Sequence, residues 1–380
     1  MAKIKQIICI SLVLLTLTTK AQDLILGAER TNVYLPLLNG KNIAILGNQT
    51  SMIENTHLVD SLRSLELNII KVFSPEHGFR GKSDAGASIK DTIDIRTEIP
   101  IISLYGKNKK PTKKQLAEVD VLVFDIQDVG ARFYTYISTL HYVMEAAGEN
   151  NIELIILDRP NPNGHYIDGP IREKGYESFV GMHPVPIVHA MTIGEYAKMI
   201  NGENWITHKC NLTIIEMKNY NHGLHYDPPI KPSPNLPNSR SINLYPSLCL
   251  FEGTNVSIGR GTDYPFQQFG APYFQSEYSF TPKSGPGSKS PKHKNTTCFA
   301  IDLRFQEDYL IEINLDWLIY AYNNYPQKEK FFNNFFDKLA GSNQLRLQII
   351  DGKSAEEIKE SWSEDLYKFK KIRKKYLIYN

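Results

Sequence analysis

Three short segments of the sequence combine carboxylates, arginines and aromatic residues, a composition suited to cleaving glycosidic bonds. Residues 74–81 are S-P-E-H-G-F-R-G, residues 125–136 are D-I-Q-D-V-G-A-R-F-Y-T-Y, and residues 158–162 are D-R-P-N-P. Glycoside cleavage needs a carboxylic acid that protonates the leaving oxygen, and usually a second carboxylate that acts as nucleophile or base. The three segments supply candidates for both roles.

Glu76 is the candidate for the catalytic acid. It follows a proline that stiffens the loop, and it lies between Phe73 and Phe79 in the sequence, an apolar setting that suits a proton donor. His77 is predicted to orient Glu76 or to bind a sugar hydroxyl. The alternative for Glu76 is a salt bridge within its own loop to Arg80.

The second catalytic carboxylate is predicted to be Asp125 or Asp128. Asp125 ends an apolar segment and Asp128 lies in a glycine-containing loop, so each has the alternative role of stabilising a turn. Glu252, beside the glycine-rich segment that contains Arg260, is a further candidate for the second acid. We expect that glycine-rich segment to reach over the cleft from a second domain.

Guanidinium groups bind carboxylates bidentately, so Arg80, Arg132 and Arg159 suit a substrate that carries a carboxylate. The alternative for each is a salt bridge that ties its own loop to a neighbouring acid. Tyr134 is a candidate for stacking on a sugar ring. The predicted substrate-binding residues are Arg80, Gln127, Arg132, Tyr134, Asp158, Arg159, Asn161, Glu252 and Arg260.

We expect neither a metal nor a nucleotide cofactor. The ten histidines show no H-E-x-x-H or H-x-H spacing, and Cys210, Cys249 and Cys298 show no C-x-x-C spacing. The Gly-x-Gly occurrences fall away from the first predicted strand-to-helix turn, which argues against a dinucleotide site. The formal charge of +2 gives no electrostatic case for binding nucleic acid or an anionic membrane.

The first 21 residues have the pattern of a signal peptide. Lys3 and Lys5 precede a short apolar segment, and the small residue Ala21 marks the expected cleavage site. The apolar segment is shorter than the roughly 20 residues of a spanning helix, which disfavours the alternative of an uncleaved anchor. We therefore expect an exported, soluble protein without stable membrane insertion, in the periplasm or alternatively secreted into the medium.

From residue 42 onward, short apolar segments alternate with amphipathic stretches, which predicts β-α units on a parallel sheet. Strands are predicted at residues 42–47, 67–74, 99–104, 121–125, 153–157 and 212–217. Helices are predicted at 57–65, 112–118, 135–147 and after Thr192. Ligands of such sheets bind beyond the carboxyl ends of the strands, where the three segments would converge.

Five prolines in residues 227–237 predict an extended segment that separates two domains. Residues 22–226 form the predicted catalytic domain, and residues 227–380 form a smaller α+β domain that closes the cleft. The polar insert at residues 281–294 looks variable, and none of the predicted catalytic residues lies in it. One long terminal helix is predicted to begin at the capping box of Ser354 and Glu357.

Five motifs occur in order along the chain, namely the three segments above, S-P-N-L-P at residues 233–237 and E-G-T-N-V-S-x-G-R-G-T at 252–262. Together they resemble the NamZ-type exo-β-N-acetylmuramidases. The resemblance implies a Rossmann-like N-terminal domain, a smaller C-terminal domain and a cleft between them. It also implies release of N-acetylmuramic acid from non-reducing ends of peptidoglycan fragments, without a nicotinamide cofactor.

The resemblance makes Glu76 the catalytic glutamate, and the lactyl carboxylate of muramic acid gives Arg80, Arg132 or Arg159 a specific ligand. Retaining, inverting and substrate-assisted routes stay open, since the 2-acetamido group of the sugar is itself a possible nucleophile. Two other functions remain as alternatives. One is a muropeptide-binding protein without activity, and the other is a metal-assisted phosphoester hydrolase that uses Asp125, Asp128 and Asp158.

Overall fold

The structure is a computed structural model that describes residues 23–76, 78–80, 91–306 and 308–380. The predicted signal peptide and His77 lie outside the described residues. Within the described ranges, no helix has both the length and the apolar character needed to cross a membrane.

The N-terminal domain is built on a seven-stranded sheet with the spatial order β5-β6-β4-β1-β7-β8-β9. All neighbouring strands are parallel except the edge pair β5 and β6. When the six parallel strands β1, β4, β6, β7, β8 and β9 are renumbered 1 to 6 along the chain, their order across the sheet is 3-2-1-4-5-6. This is the strand order of a Rossmann fold. The strands of this domain, including the small hairpin β2–β3, are β1 (Ile43–Gly47), β2 (Met52–Ile53), β3 (Thr56–His57), β4 (Ile69–Ser74), β5 (Thr92–Ile93), β6 (Pro100–Ser103), β7 (Val121–Asp125), β8 (Glu153–Leu157) and β9 (Leu212–Ile215).

The central strands are apolar because both faces of the sheet are covered. Every residue of β1 and β7 is buried, and the two strands pair in register from Ile43 with Val121 to Gly47 with Asp125. Strands covered on both faces by helices are expected to be nearly continuous in apolar residues. The predicted α/β class with a parallel sheet is therefore confirmed, and β7 and β8 have the predicted bounds.

In the described part of this domain, four α-helices connect or flank the strands: α1 (Thr31–Leu38), α2 (Leu58–Ser64), α3 (Tyr136–Asn150) and α4 (Ile193–Gly202). Helix α4 begins at the predicted capping box, in which the Glu195 amide donates to the Thr192 hydroxyl at 3.2 Å. Helix α3 ends at Asn151, whose φ of 54° is the left-handed conformation common at helix ends.

The predicted helix at residues 112–118 is wrong, because the chain forms only turns there. The Thr112 amide donates to Gln115 Oε1 at 2.9 Å, and the Gln115 amide donates to Thr112 Oγ1 at 3.2 Å. Glu118 then adopts a φ of 65°, which ends the segment. A helical start that cannot propagate does not repay the cost of nucleation.

The C-terminal domain follows the proline-rich segment and contains a three-stranded antiparallel sheet with the order β10-β12-β11. The predicted terminal helix begins at its capping box but is divided at Trp362 into α9 and α10. The elements of this domain are α5 (Ser239–Leu248), β10 (Gln268–Ala271), β11 (Ser279–Phe280), β12 (Cys298–Asp302), α6 (Asp316–Asn323), α7 (Phe336–Ala340), α8 (Gln344–Ile350), α9 (Ala355–Ser361) and α10 (Ser363–Lys374).

The chain ends by returning to the N-terminal domain. The Tyr379 hydroxyl donates to Asp158 Oδ2 at 2.8 Å, and the amides of Ile378 and Tyr379 donate to Glu195 Oε1 at 2.9 and 3.2 Å. Asp158 and Glu195 are both fully buried. Because a buried carboxylate needs donors, these contacts tie the C-terminal residues to the edge of the large sheet.

Candidate active site

A cleft of about 630 Å³ lies between the two domains, a volume in the usual range for a small-molecule site. It opens beyond the carboxyl ends of the large sheet, where loops of neighbouring strands converge. The N-terminal domain lines it with Glu76, Tyr105, Phe133, Thr135, Phe179 and Val180. The C-terminal domain lines it with Tyr245, Cys249, Glu252, Arg260, residues 287–290, Phe335 and Leu339.

Glu76 enters the cleft from the loop after β4, and two hydroxyl groups hold its carboxyl group. Thr135 Oγ1 donates to Glu76 Oε2 at 3.0 Å, and the Tyr105 hydroxyl also hydrogen-bonds Glu76. Burial, together with the nearby Glu76 carboxyl, raises the pKa of Tyr105 above its ordinary value. The Tyr105 hydroxyl therefore stays protonated and remains a hydrogen-bond donor.

Each hydroxyl is positioned by an adjacent element of the sheet. Tyr105 lies two residues after β6, the strand next to β4, and Thr135 directly precedes α3. The Thr135 carbonyl accepts the Thr139 amide at 3.0 Å in the first turn of that helix. The orientation of Glu76 thus depends on three loops at one edge of the sheet.

Glu252 is the other carboxylate that lines the cleft within the described part of the chain. It lies in the short 3₁₀ helix Cys249–Gly253, and Arg260 Nε donates to its Oε1 at 2.7 Å while Nη2 contacts the same oxygen. The predicted position of Arg260 over the cleft agrees with the structure. Each domain therefore contributes one carboxylate to the shared cleft.

A smaller pocket of about 70 Å³ adjoins the cleft beside Glu76. Five aromatic residues line it, and the Tyr134 ring packs edge-on against Tyr136 and Tyr245 with centroids 4.8 and 5.8 Å apart. The predicted substrate residue Tyr134 therefore lines this side pocket. Further lining residues are Glu76, Phe133, Thr135, Ser233, Asn235, Leu236, Arg260 and Phe266.

Asp125 does not line the cleft. It is fully buried at the end of β7, where Arg159 Nε donates to its Oδ1 at 2.5 Å and Nη2 donates to its Oδ2 at 2.9 Å. A carboxylate held bidentately by a buried guanidinium has its acceptors engaged. The structure therefore favours the alternative role for Asp125 and Arg159, an ion pair that fixes their own loops.

Asp128 and Asp158 are also buried outside the two pockets. Asp128 Oδ2 accepts the Gly130 amide at 2.7 Å, and burial raises the pKa of Asp128 to about 7. Asp158 accepts the Gly194 amide at 2.9 Å and the Thr192 hydroxyl at 2.7 Å, and burial raises its pKa to about 6. Both carboxyl groups stabilise loops beneath the cleft.

Two more of the predicted carboxylate-binding arginines are engaged within the protein. Arg80 Nη2 lies 3.1 Å from Asp60 and 2.7 Å from Asp94. These partners differ from Glu76, the partner predicted for a salt bridge within the loop. Arg132 is fully buried, and its guanidinium donates to four main-chain carbonyls. These belong to Pro170 and Val185, both at 2.7 Å, and to Leu339 and Ala340, both at 2.8 Å.

The predicted substrate residues Gln127 and Asn161 likewise hold loops. Gln127 Nε2 donates to the carbonyls of Asp128 and Pro160 at 2.8 and 2.7 Å. Asn161 Nδ2 donates to the Met191 carbonyl at 3.0 Å. These side chains connect the loops that follow β7 and β8, and neither lines the two pockets.

The sequence interpretation missed several residues of the cleft. Tyr105 follows a predicted strand and Thr135 lies within the segment at residues 125–136, so the rule that ligands bind at strand carboxyl ends was sufficient to find both. Residues 287–290 of the polar insert also line the cleft, a position that the sequence analysis did not predict. No pattern in the insert revealed that position, because it depends on tertiary contacts.

Within the described ranges, no three or more His, Cys, Asp or Glu side chains lie close enough together to hold a metal ion. Cys210, Cys249 and Cys298 are free and buried, and Cys249 lies in the cleft wall. Burial raises the pKa of the Cys249 thiol well above its ordinary value.

A Rossmann-like domain and a smaller domain that share a sugar-sized cleft, with one carboxylate from each, define a two-domain α/β protein with the layout of a glycosidase. Models of the NamZ exo-β-N-acetylmuramidase N-terminal and C-terminal domains match residues 43–240 and 243–379. The chain belongs to the NamZ exo-β-N-acetylmuramidase family. The two models meet between residues 240 and 243, and the domain boundary at residues 226 and 227 stays a prediction.

Similar proteins come from two bacteria. The chain is 42% identical over 371 residues to the peptidoglycan β-N-acetylmuramidase NamZ of Bacillus subtilis strain 168, and the match covers 91% of this chain and 89% of that protein. Two crystal structures of DUF1343 family proteins from Bacteroides fragilis NCTC 9343 each cover 94% of this chain and 99% of their own. Their TM-scores are 0.89 and 0.79, at 48% and 29% identity.

Proposed function

We propose that this protein releases N-acetylmuramic acid from the non-reducing ends of peptidoglycan fragments, with Glu76 as the catalytic acid. The observation that carries the proposal is the position of Glu76 in the interdomain cleft, with its carboxyl group held by Thr135 and Tyr105. The 42% identical relative is named a peptidoglycan β-N-acetylmuramidase. A proton donor needs this kind of fixed orientation toward the leaving oxygen.

Glu252 is the residue best placed for the second carboxylate role. It lines the same cleft as Glu76 but comes from the other domain, and its ion pair with Arg260 fixes its orientation. Asp125 and Asp128, the residues predicted for this role, are buried and do not line the cleft. Glu252 would either act directly on the anomeric carbon or water, or orient the 2-acetamido group of the substrate.

The metal-assisted phosphoester hydrolase has weaker support than the glycosidase. The three aspartates assigned to it do not converge, because Asp125 pairs with Arg159 and Asp158 accepts hydrogen bonds from helix α4 and Tyr379. A binding protein without activity would use the same cleft. This alternative is less well supported, because the relative and the family model that match this chain are both named as a muramidase.

We further propose that the protein is exported through the signal peptide at residues 1–21 and acts in the periplasm. Its basic start, short apolar segment and small residue at Ala21 support this proposal. Peptidoglycan fragments occur outside the cytoplasmic membrane, so export would bring the enzyme to its substrate.

The test uses mature protein from Gln22 and a chromogenic β-N-acetylmuramide, with the β-N-acetylglucosaminide analogue beside it. Wild-type protein should release the chromophore from the muramide with or without a chelator. Glu76→Gln, which keeps the shape but loses the transferable proton, should lower kcat by about a thousandfold or more. Glu356→Gln, on the exposed face of helix α9, is the matched control and should retain wild-type activity.

Two results would contradict the proposal. Full activity in Glu76→Gln would remove Glu76 as the acid, and no hydrolysis of the muramide by folded wild-type protein would favour the binding protein. Loss of activity with chelator would instead support the metal-assisted hydrolase.

A further inference from the structure

Muramic acid differs from glucosamine by a lactyl ether that ends in a carboxylate, and this inference rests on the proposed function. A carboxylate that leaves water for a protein cleft needs a cationic partner or hydrogen-bond donors. Among the described residues that line the cleft, Arg260 and Lys289 are the cationic side chains. Both come from the C-terminal domain.

The arginines of the N-terminal domain that were considered for this role have other partners. Arg159 holds Asp125, Arg80 holds Asp60 and Asp94, and Arg132 holds main-chain carbonyls. Removing any of them from these partners would leave a buried or half-buried charge or dipole without its match, at a cost of several kcal/mol in the buried cases.

Arg260 combines an internal contact with a remaining donor edge. Its contacts to Glu252 use Nε and Nη2, while Nη1 makes no hydrogen bond within the described part of the chain. The guanidinium lies over the Phe266 ring at 5.1 Å, and Arg260 lines both the cleft and the side pocket. A planar guanidinium fixed in this way can donate hydrogen bonds from its Nη1 edge to a second carboxylate.

Lys289 is brought to the cleft by an insert that is anchored on both sides. On one side, Asn235 Nδ2 donates to the Gly287 carbonyl at 2.8 Å. On the other, Lys292 Nζ donates to the Phe251 carbonyl at 3.0 Å, and His293 Nε2 lies 2.7 Å from the Asn255 carbonyl. These contacts fix the main chain on both sides of Lys289, so its position in the cleft wall follows from the fold.

The insert contains a second lysine, Lys283, that lines a different cavity and can be compared with Lys289. Residues 287–290 line the cleft, whereas Lys283 and Pro286 line a separate groove that also contains Tyr264 and Tyr278. Lys283 and Lys289 are both exposed and lie six residues apart in one loop. They differ in which cavity they line, so substituting each in turn separates a local effect in the cleft from a general loss of surface charge.

We infer that Arg260 and Lys289 bind the lactyl carboxylate of the substrate and thereby select muramides over glucosaminides. The C-terminal domain then supplies selectivity, while Glu76 of the N-terminal domain supplies the transferable proton. Arg260 would share its guanidinium between Glu252 and the ligand, which couples recognition of the carboxylate to the orientation of Glu252.

The test compares a chromogenic β-N-acetylmuramide with its lactyl methyl ester, using mature full-length protein. The measured quantity is the ratio of kcat/KM for the acid to kcat/KM for the ester. Wild-type protein should favour the acid, and Lys289→Met should reduce the ratio about tenfold, mainly through KM for the acid. Arg260→Lys, which keeps a positive charge beside Glu252, should reduce the ratio as well. Lys283→Met is the matched control and should retain the wild-type ratio.

Binding of free N-acetylmuramic acid and N-acetylglucosamine, measured by calorimetry, gives a second readout that needs no catalysis. Wild-type protein and Glu76→Gln should prefer the acidic sugar, and Lys289→Met should lose most of that preference. An unchanged acid-to-ester ratio and unchanged binding preference in both Lys289→Met and Arg260→Lys would overturn the inference. Intact preference without hydrolysis would instead contradict only the proposed function.

Discussion

The Thr135 hydroxyl donates a 3.0 Å hydrogen bond to Glu76, which joins the start of helix α3 to the loop after β4. Replacement by Thr135→Val removes this donor while keeping the shape of the side chain. A hydrogen bond to an ionisable group contributes about 1.5–3 kcal/mol, so kcat on the muramide should fall by roughly ten- to a hundredfold.

Thr135→Ser retains the hydroxyl and is the control for this change, with kcat expected within about threefold of wild type. The KM of both variants should change little, because the bond orients Glu76 and does not bind the sugar. Equal loss of activity in the valine and serine variants would contradict the role assigned to the hydroxyl.

Asp125→Ala should mainly affect stability, because it leaves the Arg159 guanidinium buried without its carboxylate. Breaking a buried ion pair from one side costs about 3–5 kcal/mol, and the free energy of unfolding in urea measures this loss. Asp302→Ala is the matched control, since Asp302 forms a similar pair with Arg304 but both side chains are partly exposed. Its cost should stay below about 1 kcal/mol.

A catalytic Asp125 would behave differently. Asp125→Ala protein that unfolds at wild-type urea concentrations but has no activity would restore Asp125 as the second catalytic carboxylate and contradict the structural role.

Asp128 should make stability depend on pH. Burial raises its pKa from 3.8 to about 7 in the folded state, so the folded protein binds the proton more tightly than the unfolded chain. The resulting stabilisation is fully present below pH 3.8 and is lost as the pH rises through about 7. Asp128→Asn removes this group while its amide oxygen can still accept the Gly130 amide.

The measurement is the free energy of unfolding of Asp128→Asn minus that of wild type, at pH 5 and at pH 8. The difference should move in favour of the variant as the pH rises. Asp158 titrates in a similar range, but it is present in both proteins and cancels in the difference. A difference that is constant across this range would show that Asp128 does not bind a proton more tightly in the folded protein.

Tyr379→Phe should destabilise the protein, since it removes the hydroxyl that donates to Asp158 and accepts the Met217 amide at 2.9 Å. Leaving a buried carboxyl group without one donor costs about 1–3 kcal/mol. Tyr367→Phe is the control, because that tyrosine is 59% exposed and should change stability by less than about 0.5 kcal/mol. Equal unfolding free energies for the two variants would mean that the C-terminal contact contributes little.

The strands of the sheet could be predicted from the sequence because buried strands are composed mainly of apolar residues. Apart from Asp125 and the partly exposed Glu153 at their ends, β7 and β8 consist of buried apolar residues, so composition indicates where they lie. The starts of α4 and α9 were also predictable, because the two residues of each capping box lie three positions apart in the sequence. The helix predicted at residues 112–118 failed because its local start is not followed by a second turn.

The site was only partly predictable, because a motif shows which residues come together but not which of them face the ligand. Asp125 is the last residue of one strand of the sheet and Glu76 follows another, yet Asp125 is engaged by Arg159 and Glu76 reaches the cleft. The position of Lys289 in the cleft was missed for another reason. Its position depends on contacts between the insert and distant segments, such as Asn235 with Gly287.

The four carbonyls held by Arg132 come from both domains, two from the loops before α4 and two from the end of α7. The buried guanidinium of Arg132 thereby joins the two domains next to the cleft. A closing movement that shifts α7 relative to the loops before α4 would have to break these bonds, so Arg132 keeps these two segments at a fixed separation. The two halves of the enzyme should accordingly melt in one cooperative transition, since neither can loosen without exposing that charge.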